Sequence, residues 1–219
     1  MRIGILGTGQ VGRTLASRLA ELGHDVLMGA RDPANPRAAE WAEVAGSRGS
    51  AGTFADAAAH GEVVINATAG AASLRALDQA GATNLAGRVL MDVSNPIAEV
   101  TGGSLQLTTA NTDSLAEQIQ RAYPDSRVVK TLNTVNASVM VDPGRLPEPH
   151  TMFLAGDDAA AKAVVRGILA ELGWPAESIV DLGGLSAARG MEMYLPLWLK
   201  TMQALGTAAF NIRIVRAAE

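Results

Sequence analysis

The order of segments along this chain predicts an α/β fold: a doubly wound, Rossmann-type, mostly parallel sheet with a small helical C-terminal part. Three observations carry that reading. Short apolar runs alternate with helical stretches over most of the chain, which is the pattern of successive βαβ units. The chain opens on a strand, a glycine turn and a helix in immediate succession: Arg2 to Leu6, then Gly7-Thr8-Gly9-Gln10-Val11-Gly12, then an amphipathic stretch. Beyond Ser186 the character changes to one long helical stretch rich in bulky side chains.

Taken in order, Asp25 to Gly29 reads as the second strand and Pro36 to Ala45 as a helix, with a short helical piece at Thr53 to Ala58. Glu62 to Asn66 is a β-branched strand bounded by Gly61 and the small residues Ala67 to Gly70. A helix near Ser73 to Ala80 precedes a strand at Arg88 to Asp92. Ser114 to Ala122 is helical, Arg127 to Thr131 a strand, and Met152 to Ala155 starts a further unit. A helix from Asp158 to Leu172 and a last short strand, Ile179 to Leu182, complete the alternation. The stretch from Ser186 to Leu205 contains Pro196, whose missing N–H and clashing ring predict a kink or a split. Its Met191, Met193, Tyr194, Leu197, Trp198 and Met202 suit core packing, a subunit interface or one wall of a pocket for a flat ligand. The turn-rich connector Val141 to Pro149 divides residues 1-145, a nucleotide-binding domain, from residues 146-219, a smaller substrate and dimerisation part.

Composition narrows the function. With 219 residues, 48% of them hydrophobic, the chain can bury a substantial core. A net charge of −4 without a basic face argues against a nucleic-acid partner. The absence of cysteine removes disulfides, thiolate metal sites and a cysteine nucleophile, and it fits a cytoplasmic location. The first strand starts too close to Met1 for a secretory leader, and no apolar run is long enough for a membrane span.

The glycine turn supplies the first functional expectation. Gly7 permits the tight turn, Gly9 lets backbone approach a pyrophosphate, and Gly12 lets the helix pack on the strand. Free N–H groups at the helix start then face the phosphates. An NAD site usually carries a carboxylate at the end of the second strand; here Gly29 and Ala30 are small and neutral, and Arg31 follows at once. Room for a 2′-phosphate plus a guanidinium to hold it predicts NADP(H). Arg37 is a second, weaker candidate, and Asp32 is assigned to capping the turn into Pro33. Ligands of doubly wound sheets lie beyond the carboxyl ends of the strands. Ala67-Thr68-Ala69, Ser94-Asn95-Pro96 and Leu132-Asn133-Thr134-Val135-Asn136 follow three strands there, and Asn95 and Asn133 are the candidates for the nicotinamide side.

Reducing a carbonyl or imine normally needs a proton donor beside the hydride. His24 and His60 lie before strands, at the wrong edge, and His150 lies in the connector. Lys130 sits inside a strand with its side chain free to face solvent, and Tyr194 reads as packed. No metal or covalent-nucleophile constellation is apparent. A site without acid or base suits hydride transfer between two redox cofactors. A flavin, ferric or small carbonyl or imine reductase, and a non-catalytic NADP(H) sensor, stay open as alternatives.

The glycine turn, Gly29-Ala30-Arg31, Val128-Val129-Lys130-Thr131-Leu132-Asn133-Thr134 and Phe153-Leu154-Ala155-Gly156-Asp157 together resemble the NADPH-dependent coenzyme F-420 reductase family. The ending, Pro196-Leu197-Trp198 and Ala204-Leu205-Gly206-Thr207, is similar too. The resemblance implies NADPH, a homodimer and reversible hydride transfer to or from 8-hydroxy-5-deazaflavin (coenzyme F-420), with the two rings stacked. Members often carry Ser where this chain has Ala30, and some carry His where it has Asn133.

Overall fold

The computed structural model describes residues 1–217 apart from 102 and 103. One eight-stranded sheet organises the chain, in the edge-to-edge order Ile179–Asp181, Met152–Ala155, Arg127–Thr131, Val89–Asp92, Val63–Asn66, Arg2–Leu6, Asp25–Ala30, Gly49–Thr53. Its strands are β1 (Arg2–Leu6), β2 (Asp25–Ala30), β3 (Gly49–Thr53), β4 (Val63–Asn66), β5 (Val89–Asp92), β8 (Arg127–Thr131), β9 (Met152–Ala155) and β10 (Ile179–Asp181). All neighbours pair in parallel except β8 and β9. The helices are α1 (Gln10–Glu21), α2 (Pro36–Ala45), α3 (Phe54–His60), α4 (Gly70–Ala80), α5 (Ala82–Leu85), α6 (Leu115–Ala122), α7 (Ala137–Met140), α8 (Ala159–Glu171) and α9 (Ala188–Leu205).

Alternation along β1 explains the two-sided core. Ile3 and Ile5 enter one apolar cluster with Leu15 and Leu19 of α1, Trp41 of α2, and Val165 and Ile168 of α8. Leu6 enters the other, with Phe54, Leu77, Leu85 and Ile119. Each such buried side chain stabilises the fold by about 1.5–3 kcal/mol before entropy is counted. The chain steps from β1 outward to β2 and β3, then returns to place β4 on the other flank of β1. That reversal opens a crevice between the carboxyl ends of β1 and β4.

Six helices begin at this carboxyl edge, and their first turns differ; at α7 the Asn136 side chain accepts from Ser138 N–H at 2.9 Å. The Asn35 side chain accepts from the N–H groups of Arg37 and Ala38 at α2. Thr53 and Asp56 form a reciprocal capping box at α3. Ser114 caps α6. The starts of α1, at Gly9, and α4, at Ala69, carry no side-chain cap.

Several elements depart from the expectations. The fourth helix starts at Gly70, earlier than its sequence signal. The strand β3, Gly-Ser-Ala-Gly-Thr, has Thr53 as its one β-former and exists because β2 offers a free parallel edge. An antiparallel pair, β6 (Ile97–Thr101) with β7 (Ser104–Leu107), occupies a stretch to which no element was assigned from the sequence. Pro196 does not split the last helix: α9 runs unbroken through it, giving up only the bond that a residue with an N–H would make to the preceding turn. Residues after 146 contribute β9 and β10 to the common sheet, and their tail returns to it, Thr151 N–H donating to Ile212 O at 2.9 Å.

Candidate functional site

The glycine turn has one role per glycine. Gly7 adopts φ +118°, and a Cβ there would stand 2.7 Å from the Ala67 carbonyl oxygen. A Cβ on Gly12 would stand 2.2 Å from the Gly7 oxygen, so α1 packs directly on the turn. A Cβ on Gly9 would meet nothing within 4 Å. Space therefore opens above Gly9, beside the uncapped start of α1. It is part of a cavity of about 390 Å³ lined by Gly7, Thr8, Gly9, Ala30, Arg31, Asn35, Phe54, Ala67, Thr68, Ala69, Arg75 and Gln79, among others. Arg31 is exposed and makes no side-chain hydrogen bond or ion pair among the described residues. Asp32 instead turns onto the backbone, accepting from Ala34 N–H at 2.9 Å. Arg37 lines a different groove, on the far side of α2.

These residues fit the phosphorylated half of NADP(H). Open N–H groups at a helix start favour a pyrophosphate, Ala30 leaves room at the strand end, and Arg31 brings an unengaged guanidinium. Of the residues lining this cavity, Asn35, Phe54, Arg75 and Gln79 were not singled out from the sequence. Asn35 had a readable signal, since Asn before Pro36 is a helix-start signature. The others come from α3 and α4, whose approach to the turn no local pattern reveals.

Ala67, Thr68 and Ala69 also line a second cavity, of about 550 Å³, which continues along the carboxyl edge past Gln10, Val11, Ser94, Asn95, Asn133, Val135, Asn136 and Met140 to Leu195 and Trp198 of α9. Asn95 and Asn133 meet there. Asn95 Nδ2 donates to Asn133 O at 2.8 Å, and Asn133 Nδ2 donates to Asn95 Oδ1 and Met191 O, each at 3.0 Å. The residue before, Leu132, is fully buried at φ +60°, a strained conformation for a branched side chain. It turns the chain sharply off β8. Trp198 stacks on Phe210 with ring centres 5.5 Å apart. Asn133 Oδ1 and Trp198 Nε1 are buried without a hydrogen-bond partner. Every side chain lining this second cavity is non-ionisable.

The ionisable groups lie behind it. Lys130, free from its sequence to face solvent, is instead fully buried. Its ammonium donates to Asp92 Oδ2 at 2.7 Å, Ser94 O at 2.6 Å and Glu192 Oε1 at 2.9 Å. Glu192, also buried, accepts from the N–H groups of Leu115 (2.8 Å) and Ala116 (3.2 Å) at the start of α6. Asp92 Oδ1 accepts from Asn66 Nδ2 (2.9 Å) and Ser94 Oγ (2.7 Å), and Asn66 Oδ1 accepts from Thr68 Oγ1 at 2.7 Å. One polar network thus ties α9 and α6 to the ends of β8, β5 and β4. Burial alone would lower the Lys130 pKa, but Asp92 and Glu192 outweigh it and hold the group above the ordinary lysine value. The strand periodicity of Lys130 left its direction open; two carboxylates remote in sequence decide it.

The other candidate proton donors lie away from the cavity. Tyr194 is half-buried, and burial raises its pKa. His24 is buried at the opposite edge, 2.5 Å from Glu171. His60 bonds the Asp25 carbonyl, and His150 packs against Trp174. Among the described residues no three His, Cys, Asp or Glu groups are placed to hold a metal ion, and no helix is long and apolar enough to cross a membrane.

Comparison with known proteins bears on this site. The family model for coenzyme F420-dependent NADP oxidoreductases matches residues 2–96, the segment holding the glycine turn, Arg31, Ala67 to Ala69 and Asn95. An F420-dependent NADP reductase of Methanothermobacter marburgensis is 31% identical over 208 residues, covering 90% of both chains. The chain belongs to this family. A crystal structure from Arthrobacter sp. FB24, provisionally assigned as an F420-dependent NADP reductase, superposes with a TM-score of 0.92 at 50% identity, over 99% of this chain and 100% of that one. The rat metalloreductase STEAP3 is 31% identical over 212 residues; that match takes in 94% of this chain but 39% of its relative's length. Membership makes this an NADP-dependent oxidoreductase fold whose turn, strand-end and α9 residues line two cavities that share Ala67, Thr68 and Ala69.

Proposed function

We propose that this protein passes hydride between NADP(H) and the deazaflavin coenzyme F420. The observation that carries the reading is the non-ionisable lining of the second cavity. Lys130, one of two residues that a carbonyl or imine reductase could use as proton donor, is saturated by Asp92, Glu192 and Ser94. Tyr194, the other, does not line the cavity. Hydride added to a conjugated flat ring leaves an anion delocalised over that ring, whose proton solvent can supply, so a pocket that only aligns the two rings needs no donor of its own.

In this reading bound NADPH supplies hydride, and the chain's residues hold and orient. The N–H groups from Gln10 to Gly12 take the pyrophosphate, with Thr8 beside them, and Arg31 takes the 2′-phosphate next to Ala30. Ala67, Thr68 and Ala69 let the dinucleotide pass between the cavities. Val11, Asn95 and Asn133 border the nicotinamide. Leu195 and Trp198, from the region after residue 146, form the acceptor wall, which is the substrate role assigned to that region. Exposed Leu197, Leu205, Ile214 and Val215 in the same region support a homodimer, and the composition supports a cytoplasmic location.

The test is to mix the protein with NADPH and, separately, coenzyme F420, FMN and a panel of carbonyls and imines, following nicotinamide absorbance. Oxidation of NADPH with the deazaflavin alone is expected. Turnover of carbonyls without turnover of the deazaflavin, or tight NADPH binding with no turnover at all, overturns the reading.

A further inference from the structure

A third cavity, of about 570 Å³, runs along the outside of α1 against α2. It touches Gln10, Arg13, Arg18 and Glu21 on one face of α1, and Arg37, Glu40 and Trp41 on one face of α2. From Gln10 to Glu21 the helix rises about 16 Å. The groove adjoins the acceptor cavity: Gln10 lines both, and Val141, at the groove's edge, follows Met140, which lines the inner cavity. Trp41 forms a fixed floor, its Nε1 donating to Ser17 Oγ at 3.1 Å.

The charges in this groove are unevenly satisfied. Arg18 pairs with Glu21 at 3.3 Å, and its Nε is buried without a partner. Arg13 and Arg37 are exposed, and their side chains make no hydrogen bond or ion pair among the described residues. Glu40 is the one carboxylate lining the groove that Arg18 does not hold. Arg13 stands one turn from the uncapped, positive end of α1, so the helix field adds to its own. In a chain of net charge −4, two unpaired guanidiniums beside the acceptor cavity form a local anion-attracting strip.

The geometry points to this groove as the subsite for a polyanionic side chain carried by the hydride acceptor, a flexible run of phosphodiester and carboxylate groups leaving the inner cavity past Gln10. The inference rests on the deazaflavin reading and deepens it: the inner cavity takes the ring, and Arg13, then Arg37, take the anionic tail. Guanidinium forks suit both carboxylate and phosphate oxygens.

Two acceptors separate this proposal from the reading beneath it: coenzyme F420 with its full side chain, and the same deazaflavin carrying only a ribityl chain. Steady-state KM and kcat are measured for both with the natural protein, Arg13→Ala and Arg13→Glu, and NADPH affinity is followed by calorimetry. Arg13→Ala is expected to raise KM for the full coenzyme about three- to fivefold and Arg13→Glu about tenfold. KM for the ribityl form, kcat and NADPH affinity stay unchanged, and added salt removes the natural protein's preference for the full coenzyme. Arg37→Glu, by the same logic, raises KM for the full coenzyme. Equal KM changes for the two acceptors, or none for either, overturn the tail subsite while leaving the deazaflavin reading intact. No reduction of either acceptor removes both.

Discussion

Replacing Lys130 by Met removes the cation on which the buried network converges. The methionine keeps much of the volume but leaves Asp92 and Glu192 facing one another at zero and 1% exposure, and it strips the Ser94 carbonyl of its 2.6 Å donor. Removing one partner of a buried ion pair costs about 3–5 kcal/mol, because the remaining charge keeps its desolvation penalty. Against a total stability of about 5–15 kcal/mol this is a large fraction. For a chain of this size it lowers Tm by roughly 6–20 °C. Urea or thermal unfolding followed by circular dichroism reads the loss directly. Adding Glu192→Gln to Lys130→Met removes one of the two facing charges, and we expect it to restore at least about 1 kcal/mol, a coupling that a double-mutant cycle isolates. A Lys130→Met protein within about 1 kcal/mol of the natural one, or two substitutions that simply add, would refute the triad as a unit.

Two more perturbations address the nucleotide side. Gly9→Ala introduces a methyl that meets no protein atom, at an ordinary φ of −74°, so unfolding should shift by less than about 1 kcal/mol while calorimetry records a clear loss of NADPH affinity; Gly12→Ala drives a methyl into the Gly7 carbonyl and should destabilise the fold itself. Arg31→Ala should weaken NADPH binding about tenfold and leave NADH binding nearly unaltered, and an unchanged NADPH affinity would dismiss the 2′-phosphate assignment.

How much of this could be read beforehand varies with the range of the signal. The glycine turn is a local constraint, so its spacing already contained the packing of Gly12 on Gly7 and the open space over Gly9. The strands β4 and β8 were equally plain, because their Val, Ile and Thr residues favour the extended state, and β5 showed as a short apolar run. In β3 the residues are small, and pairing with β2 overrides their propensity. Pro196 does not produce the split it allowed for, since a helix anchored by Glu192 and Met191 on its preceding turn tolerates the loss of one backbone bond. The Lys130 network was hidden because Asp92 and Glu192 lie 38 and 62 residues from Lys130, and neither belongs to a pattern that names the other. Conversely, the placement of Ala67, Asn95 and Asn133 around shared space followed from topology alone, since the carboxyl ends of parallel strands converge on one edge.

The uneven treatment of helix starts has a consequence for selectivity. A phosphate drifting toward the carboxyl edge meets several positive poles that look equivalent from afar. The chain has plugged four of them with its own oxygens: Asn35 at α2, Thr53 with Asp56 at α3, Ser114 with Glu192 at α6, and Asn136 at α7. Among the described residues at this edge, α1 and α4 remain unblocked, and both border the 390 Å³ hollow. The molecule guides its guest partly by occupying the wrong addresses itself.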